Sequence, residues 1–117
     1  MRGGWLALLG VAACLSERPR PGPPTLGIVL DSTTVHSPGT LTGRLSVRDP
    51  DGLDSIWISV DSVKVGEDAL FDTRFEVPFL FAIRANHQPN DRIPVRLEAR
   101  DLTGFSAQLD TAVRVAP

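Results

Sequence analysis

From Thr25 to Val115, apolar side chains recur at every second position in run after run, the pattern of strands that keep one face dry and one face wet. Leu26, Ile28 and Leu30 alternate with Gly27, Val29 and Asp31. Leu41, Gly43, Leu45 and Val47 alternate with Thr42, Arg44, Ser46 and Arg48, and Ile56, Ile58 and Val60 with Trp57, Ser59 and Asp61. Val63 and Val65 suggest a short strand just after. Phe75, Val77, Phe79, Phe81 and Ile83 share one face, as do Ile93, Val95, Leu97 and Ala99, and Phe105, Ala107, Leu109, Val113 and Val115 close the chain. No stretch beyond residue 25 carries a capped helical period; Gly66 to Asp72 comes nearest and is too short to stand alone. The breaks are turn chemistry: Ser37-Pro38-Gly39, Asp49-Pro50-Asp51-Gly52, Asn86 to Asp91, and Asp101-Leu102-Thr103-Gly104. The expectation is an all-β domain over residues 25–117, about seven antiparallel strands in two sheets packed face to face. Pro78 lacks a ladder donor, which predicts an edge strand or a bulge at that point.

At 117 residues the chain has room for one domain. With a single cysteine, Cys14, no intrachain disulfide can form, so stability must come from burial. The formal charge of −2 and the scatter of the basic residues along strands exclude a nucleic-acid role, which needs massed Lys and Arg.

The N-terminus reads differently. Arg2 is followed by nine uncharged, mostly apolar residues, Trp5 to Ala13, the layout of an export signal and too short to span a bilayer. Val11-Ala12-Ala13-Cys14 resembles the lipobox of bacterial lipoproteins. That resemblance implies a signal peptide over 1–13, cleavage before Cys14, and lipidation of its thiol. Leu15, rather than Asp, at the next position then favours the outer membrane. Two plainer readings compete: a buried cysteine in a short apolar helix, or a secretory signal cut elsewhere. Two or three acyl chains on one cysteine would hold the protein durably without a transmembrane helix. Ser16 to Pro24 carries four prolines in nine residues, so 14–24 reads as an extended linker giving roughly 25–30 Å of standoff. A proline-rich ligand for another domain is the alternative there.

Two segments carry a further likeness. D-P-D-G-L-D-S-I-W-I-S-V-D at 49–61 and V-R-L-E-A-R-D-L-T-G-F-S-A-Q-L-D-T-A-V-R-V at 95–115 resemble bacterial immunoglobulin-like domains. There the penultimate strand often ends in an alanine, an Asp turn and a glycine, here Ala99, Asp101 and Gly104. Fibronectin type III and cadherin-like modules share such patterns. The chain departs from antibody-type domains in having no cysteine pair and no tyrosine.

In a seven-strand Greek-key sandwich, the loop between strands B and C shares an end with the loop between F and G. Asp49, Asp51 and Asp54 are therefore expected near Asp101, an oxygen-rich set of the kind that binds calcium. Turn formation by Asp and Gly is the competing explanation of the same residues. Trp57 should point away from the core-facing Ile56, Ile58 and Val60, as a partner-binding residue or as cover for the outer sheet. His36 and His87 lie in predicted loops without a second ligand nearby, and no G-x-S-x-G elbow occurs. The functional expectation is a membrane-anchored, non-enzymatic spacer or binding module of the cell envelope. The rival is an adhesion or accessory subunit that recognises a protein or glycan through Trp57 and the Asp-rich loops.

Overall fold

A computed structural model describes residues 22–117 apart from residue 69; the expected signal peptide, Cys14 and most of the linker lie outside the described residues. Eight strands form: β1 (Thr25–Leu30), β2 (Thr34–Val35), β3 (Gly39–Arg48), β4 (Leu53–Val60), β5 (Val63–Asp68), β6 (Arg74–Ile83), β7 (Arg92–Asp101) and β8 (Ser106–Val115). One sheet has the order β1-β3-β6 and the other β2-β8-β7-β4-β5. The pairings are antiparallel except for β2, which lies parallel to the end of β8. That two-residue strand takes the count past the seven expected, and it is too short to leave an alternation in the sequence.

The alternation has the predicted meaning. Leu41, Leu45 and Val47 on β3, Ile56, Ile58 and Val60 on β4, and Ile93, Val95, Leu97 and Ala99 on β7 are all buried between the sheets. On β6, Phe79, Phe81 and Ile83 are buried, with the Phe79 and Phe81 rings edge to face at 6.1 Å. Each fully buried aliphatic side chain of this kind contributes about 1.5–3 kcal/mol, and with no crosslink this burial is the main stabilising term. The pattern fails at one point. Phe105, grouped by the alternation with Ala107, Leu109, Val113 and Val115 of the last strand, instead precedes the β8 ladder and is 42% exposed. Val63 and Val65 form the expected strand, but at the sheet edge and exposed.

Prolines fall where a missing donor is harmless. Pro78 is on β6, an edge strand, as predicted. Pro94 is on β7, a central strand, but the β4–β7 pairing ends at Val60↔Val95, and beyond it the β4–β5 turn meets residue 94 through the Asp61 N–H, which donates to the Pro94 carbonyl at 3.4 Å and asks no donor of the proline.

The outer face of the larger sheet is a ladder of cross-strand pairs: Arg96 with Asp110 at 2.7 Å, Arg100 with Asp54 at 3.1 Å, and Lys64 with Glu98 at 4.0 Å. The Arg96 guanidinium holds the Asp110 carboxyl below its ordinary range, helped by Gln108. Trp57 lies on this outer face, half-buried, as the alternation required. Its cross-strand neighbour on β5 is Gly66, where a Cβ would stand 2.4 Å from Trp57 Cδ1, so the ring occupies the space a side chain would fill. Lys64 Nζ lies 5.4 Å from the ring centroid and completes the cover.

The strand directions fix two ends. Thr25 pairs with Arg48, Arg48 with Arg74, and Leu53 with Asp101, so the start of β1 shares an end with the β3–β4 and β7–β8 turns. Val115, which pairs with Val35, is at the opposite end.

Two measurements check this packing. Leu97→Ala, at a site with no exposure on the central strand, should lower unfolding free energy in urea by about 2–5 kcal/mol. Gly66→Ala should displace the Trp57 ring, costing about 1 kcal/mol and shifting tryptophan fluorescence towards the solvent-exposed wavelength.

Candidate functional site

The end at which β1 begins is built from two turns of the same design. Asp49-Pro50-Asp51-Gly52 and Asp101-Leu102-Thr103-Gly104 are both D-x-x-G. In each, the glycine amide donates to the aspartate carbonyl, at 3.1 Å for Gly52 and 3.3 Å for Gly104. Both glycines have positive φ, 90° and 94°, which explains the residue type at the fourth position. The aspartate side chain closes each turn from within. Asp49 Oδ1 accepts from the Asp51 amide at 2.8 Å, and Asp101 Oδ1 accepts from the Thr103 amide at 2.9 Å. Asp101 Oδ1 also accepts from Thr103 Oγ1 at 2.7 Å and the Phe105 amide at 2.9 Å.

The turns are fastened together. Leu102 N–H donates to the Gly52 carbonyl at 3.0 Å, and the Leu102 side chain packs over Gly52, where a Cβ would meet it at 2.8 Å. The segment leading into β6 joins them: Leu53 N–H donates to the Asp72 carbonyl, Phe71 N–H to the Leu53 carbonyl, and Asp49 N–H to the Thr73 carbonyl.

This scaffold brings three carboxylates to one point. Oxygens of Asp49, Asp51 and Asp101 lie within 4.8 Å of one another. Asp49 is 1% exposed and Asp101 2%, and the Oδ2 atoms of all three residues are buried without a hydrogen-bond partner among the described residues. None of the ion pairs among the described residues reaches them. The two buried acids respond in opposite directions. Burial pushes the Asp49 carboxyl above the ordinary carboxylate range, and the nearby Asp101 and Asp51 act the same way against the Asp51 amide. Burial would raise Asp101 too, but the Thr103 hydroxyl, a hydrogen bond from the Asp49 carboxyl and the Phe105 and Thr103 amides hold it below that range. Asp49 has one donor from its turn where Asp101 has three, so it is Asp49 that carries the cost of their proximity.

The other expected site residues are placed elsewhere. Asp54 is on β4 and its carboxylate accepts from Arg100 Nη2 at 3.1 Å and from Ser55 Oγ at 3.1 Å, apart from the three-acid cluster. Trp57 is midway along β4 and does not join the Asp-rich loops in a single contact end. His36 is exposed. His87 Nε2 lies 2.7 Å from Asp61 Oδ2 at the opposite end, where it fastens the β4–β5 turn to the β6–β7 loop. Two features went unread in the sequence. Thr103, at the third position of the second D-x-x-G turn, orients the Asp101 carboxylate. Phe71, Leu102 and Phe105 leave apolar surface exposed around the cluster. The repetition of D-x-x-G was the available signal for the first; nothing in periodicity marks the second.

No known protein-family profile and no curated protein matches this chain. Solved structures do resemble it in shape. One is the PKD domain of an M14-like peptidase from a Thermoplasmatales archaeon, with a TM-score of 0.58 and 17% identity over 83% of this chain and 96% of that one. Another is Spo0M, a sporulation control protein from Bacillus subtilis, with a TM-score of 0.58 and 10% identity over 83% of this chain and 51% of that one. The chain therefore spans about half the length of the Spo0M chain. At these identities the likeness is one of fold, and the fold is an all-β, PKD-like and Ig-like sandwich of two sheets.

Proposed function

We propose that the protein is a membrane-anchored, non-enzymatic Ig-like module of the cell envelope, held by lipid on Cys14 and set off from the bilayer by the 14–24 linker. It acts as a spacer or binding module through its surfaces. The observation that carries this reading is the way the linker meets the domain. Pro24 is buried and runs directly into Thr25 of β1, so the last residue of the expected linker is seated on the domain. The lipobox-like Val11-Ala12-Ala13-Cys14 and the proline-rich stretch supply the rest. In the archaeal protein a domain of this fold is part of a peptidase, which supports an accessory role for such sandwiches.

A second reading, an accessory subunit that recognises a protein partner, is favoured by one feature. The sandwich is open between the β5 and β6 edges, leaving a groove of about 360 Å³ whose lining includes Ile58, Val65, Val77 and Phe79. A tether entering at the Asp-rich end turns that end towards the anchor and leaves this flank and the β2–β8 end outward. Contact through the flank, rather than through the Asp-rich loops, is the form in which the second reading holds.

Mass spectrometry of the protein extracted from bacterial membranes tests the anchor. The wild type should begin at Cys14 with added acyl mass, while Cys14→Ser should lack that mass and leave the membrane fraction. A wild-type chain that keeps Met1 and carries no lipid would overturn the proposal.

A further inference from the structure

The three-acid cluster has the make-up of a cation site, and we infer that Asp49, Asp51 and Asp101 together bind one calcium ion that joins the β3–β4 turn to the β7–β8 turn. Two independent observations meet here. The first is convergence: carboxylate oxygens from two separate turns lie within 4.8 Å of one another. Calcium holds oxygens at about 2.3–2.6 Å, so ligands on opposite sides of one ion stand about 5 Å apart, and this cluster fits around it. The second is the state of the carboxylates. Asp49 and Asp101 are almost wholly buried, and each keeps one oxygen bonded to its own turn and the other, Oδ2, without a partner. Asp51 Oδ2 is buried and unpartnered as well.

Turn formation alone accounts for the Oδ1 atoms of Asp49 and Asp101, and a proton held between their two carboxyls would join that pair, but neither accounts for the buried, unpartnered Asp51 Oδ2. A D-x-x-G turn needs one acceptor oxygen and no like-charged neighbour. Three buried acceptors with no side-chain or backbone donor are costly, because an uncompensated buried charge loses hydration with nothing in return. A doubly charged cation removes that cost for all three at once. Carboxylates select a hard ion, and the irregular spread of ligands from two loops suits the flexible coordination of calcium better than the near-ideal octahedron of magnesium.

The position gives the ion a structural task. Asp49 follows β3 of the smaller sheet, and Asp101 ends β7 of the larger one. One ion would therefore tie the two sheets together at the end where the linker enters, in a chain with no cysteine pair to do so. The site belongs to the folded domain and does not depend on the envelope reading.

Calorimetric titration of calcium chloride into the full chain carrying Cys14→Ser, stripped with EDTA, tests the inference whatever becomes of the lipid anchor. One ion per chain should bind, with the 10⁻⁴–10⁻³ M affinity typical of extracellular modules as the order expected. The melting temperature should rise by about 5 °C or more at saturating calcium and by less with magnesium. Asp51→Asn, at the most accessible of the three, should abolish both effects, while Asp54→Asn should leave them intact. The inference is overturned by an absence of binding at about 10 mM calcium, or by binding that survives both Asp51→Asn and Asp101→Asn. Equal destabilisation of Asp49→Asn in calcium and in EDTA would mark a turn residue only and would likewise overturn it.

Discussion

Ile93, Val95, Leu97 and Ala99 point from β7 into the space between the sheets, and all four are sealed from water. β7 is paired on both edges over most of its length, with β4 on one side and β8 on the other, so it can shift only by breaking two ladders. A slip of one residue would turn these four side chains out and bring Arg96, Glu98 and Arg100 in. That penalty locks the register of the larger sheet, and through it the positions of the turns at its ends. Asp101 is where it is because it is the last residue of β7, one step beyond the fixed alternation.

The two ends of the sandwich are finished differently. At the end holding Val115, polar groups are paired: His87 meets Asp61, and Ser37 Oγ donates to the Arg84 carbonyl while accepting from the His87 amide. At the other end the backbone is equally well bonded, through Gly52, Leu53, Phe71 and Leu102, but the acids are not. A domain of this size buries a limited fraction of its surface and has little free energy to spare. Retaining three carboxylates without compensation sets this end apart from the rest of the structure.

Most of the architecture was readable because period two is a direct record of which way a side chain faces. The buried set on β3, β4 and β7, the outward Trp57 and the edge position of Pro78 follow from it. The reading failed where no ladder enforces the period. Phe105 has the right parity but precedes β8, and β2 is too short to alternate at all. The acid cluster was partly legible: topology brought Asp49, Asp51 and Asp101 to one end as expected. Asp54 has the same chemistry and lies only three residues beyond Asp51, yet it belongs to β4, where the outer face hands it to Arg100 across the strand. Sequence distance could not separate a turn residue from a strand residue there. Nor could it reveal that Oδ2 atoms would be left over once the turns had closed.

The chain enters at the top of β1 in one sheet and leaves at the bottom of β8 in the other. A pull applied between its two termini would thus run along the strands, not across them. The six residue pairs between β1 and β3 would bear that pull in shear, all at once, instead of peeling apart one by one. A hairpin pulled open from its mouth, by contrast, would give up its hydrogen bonds one after another.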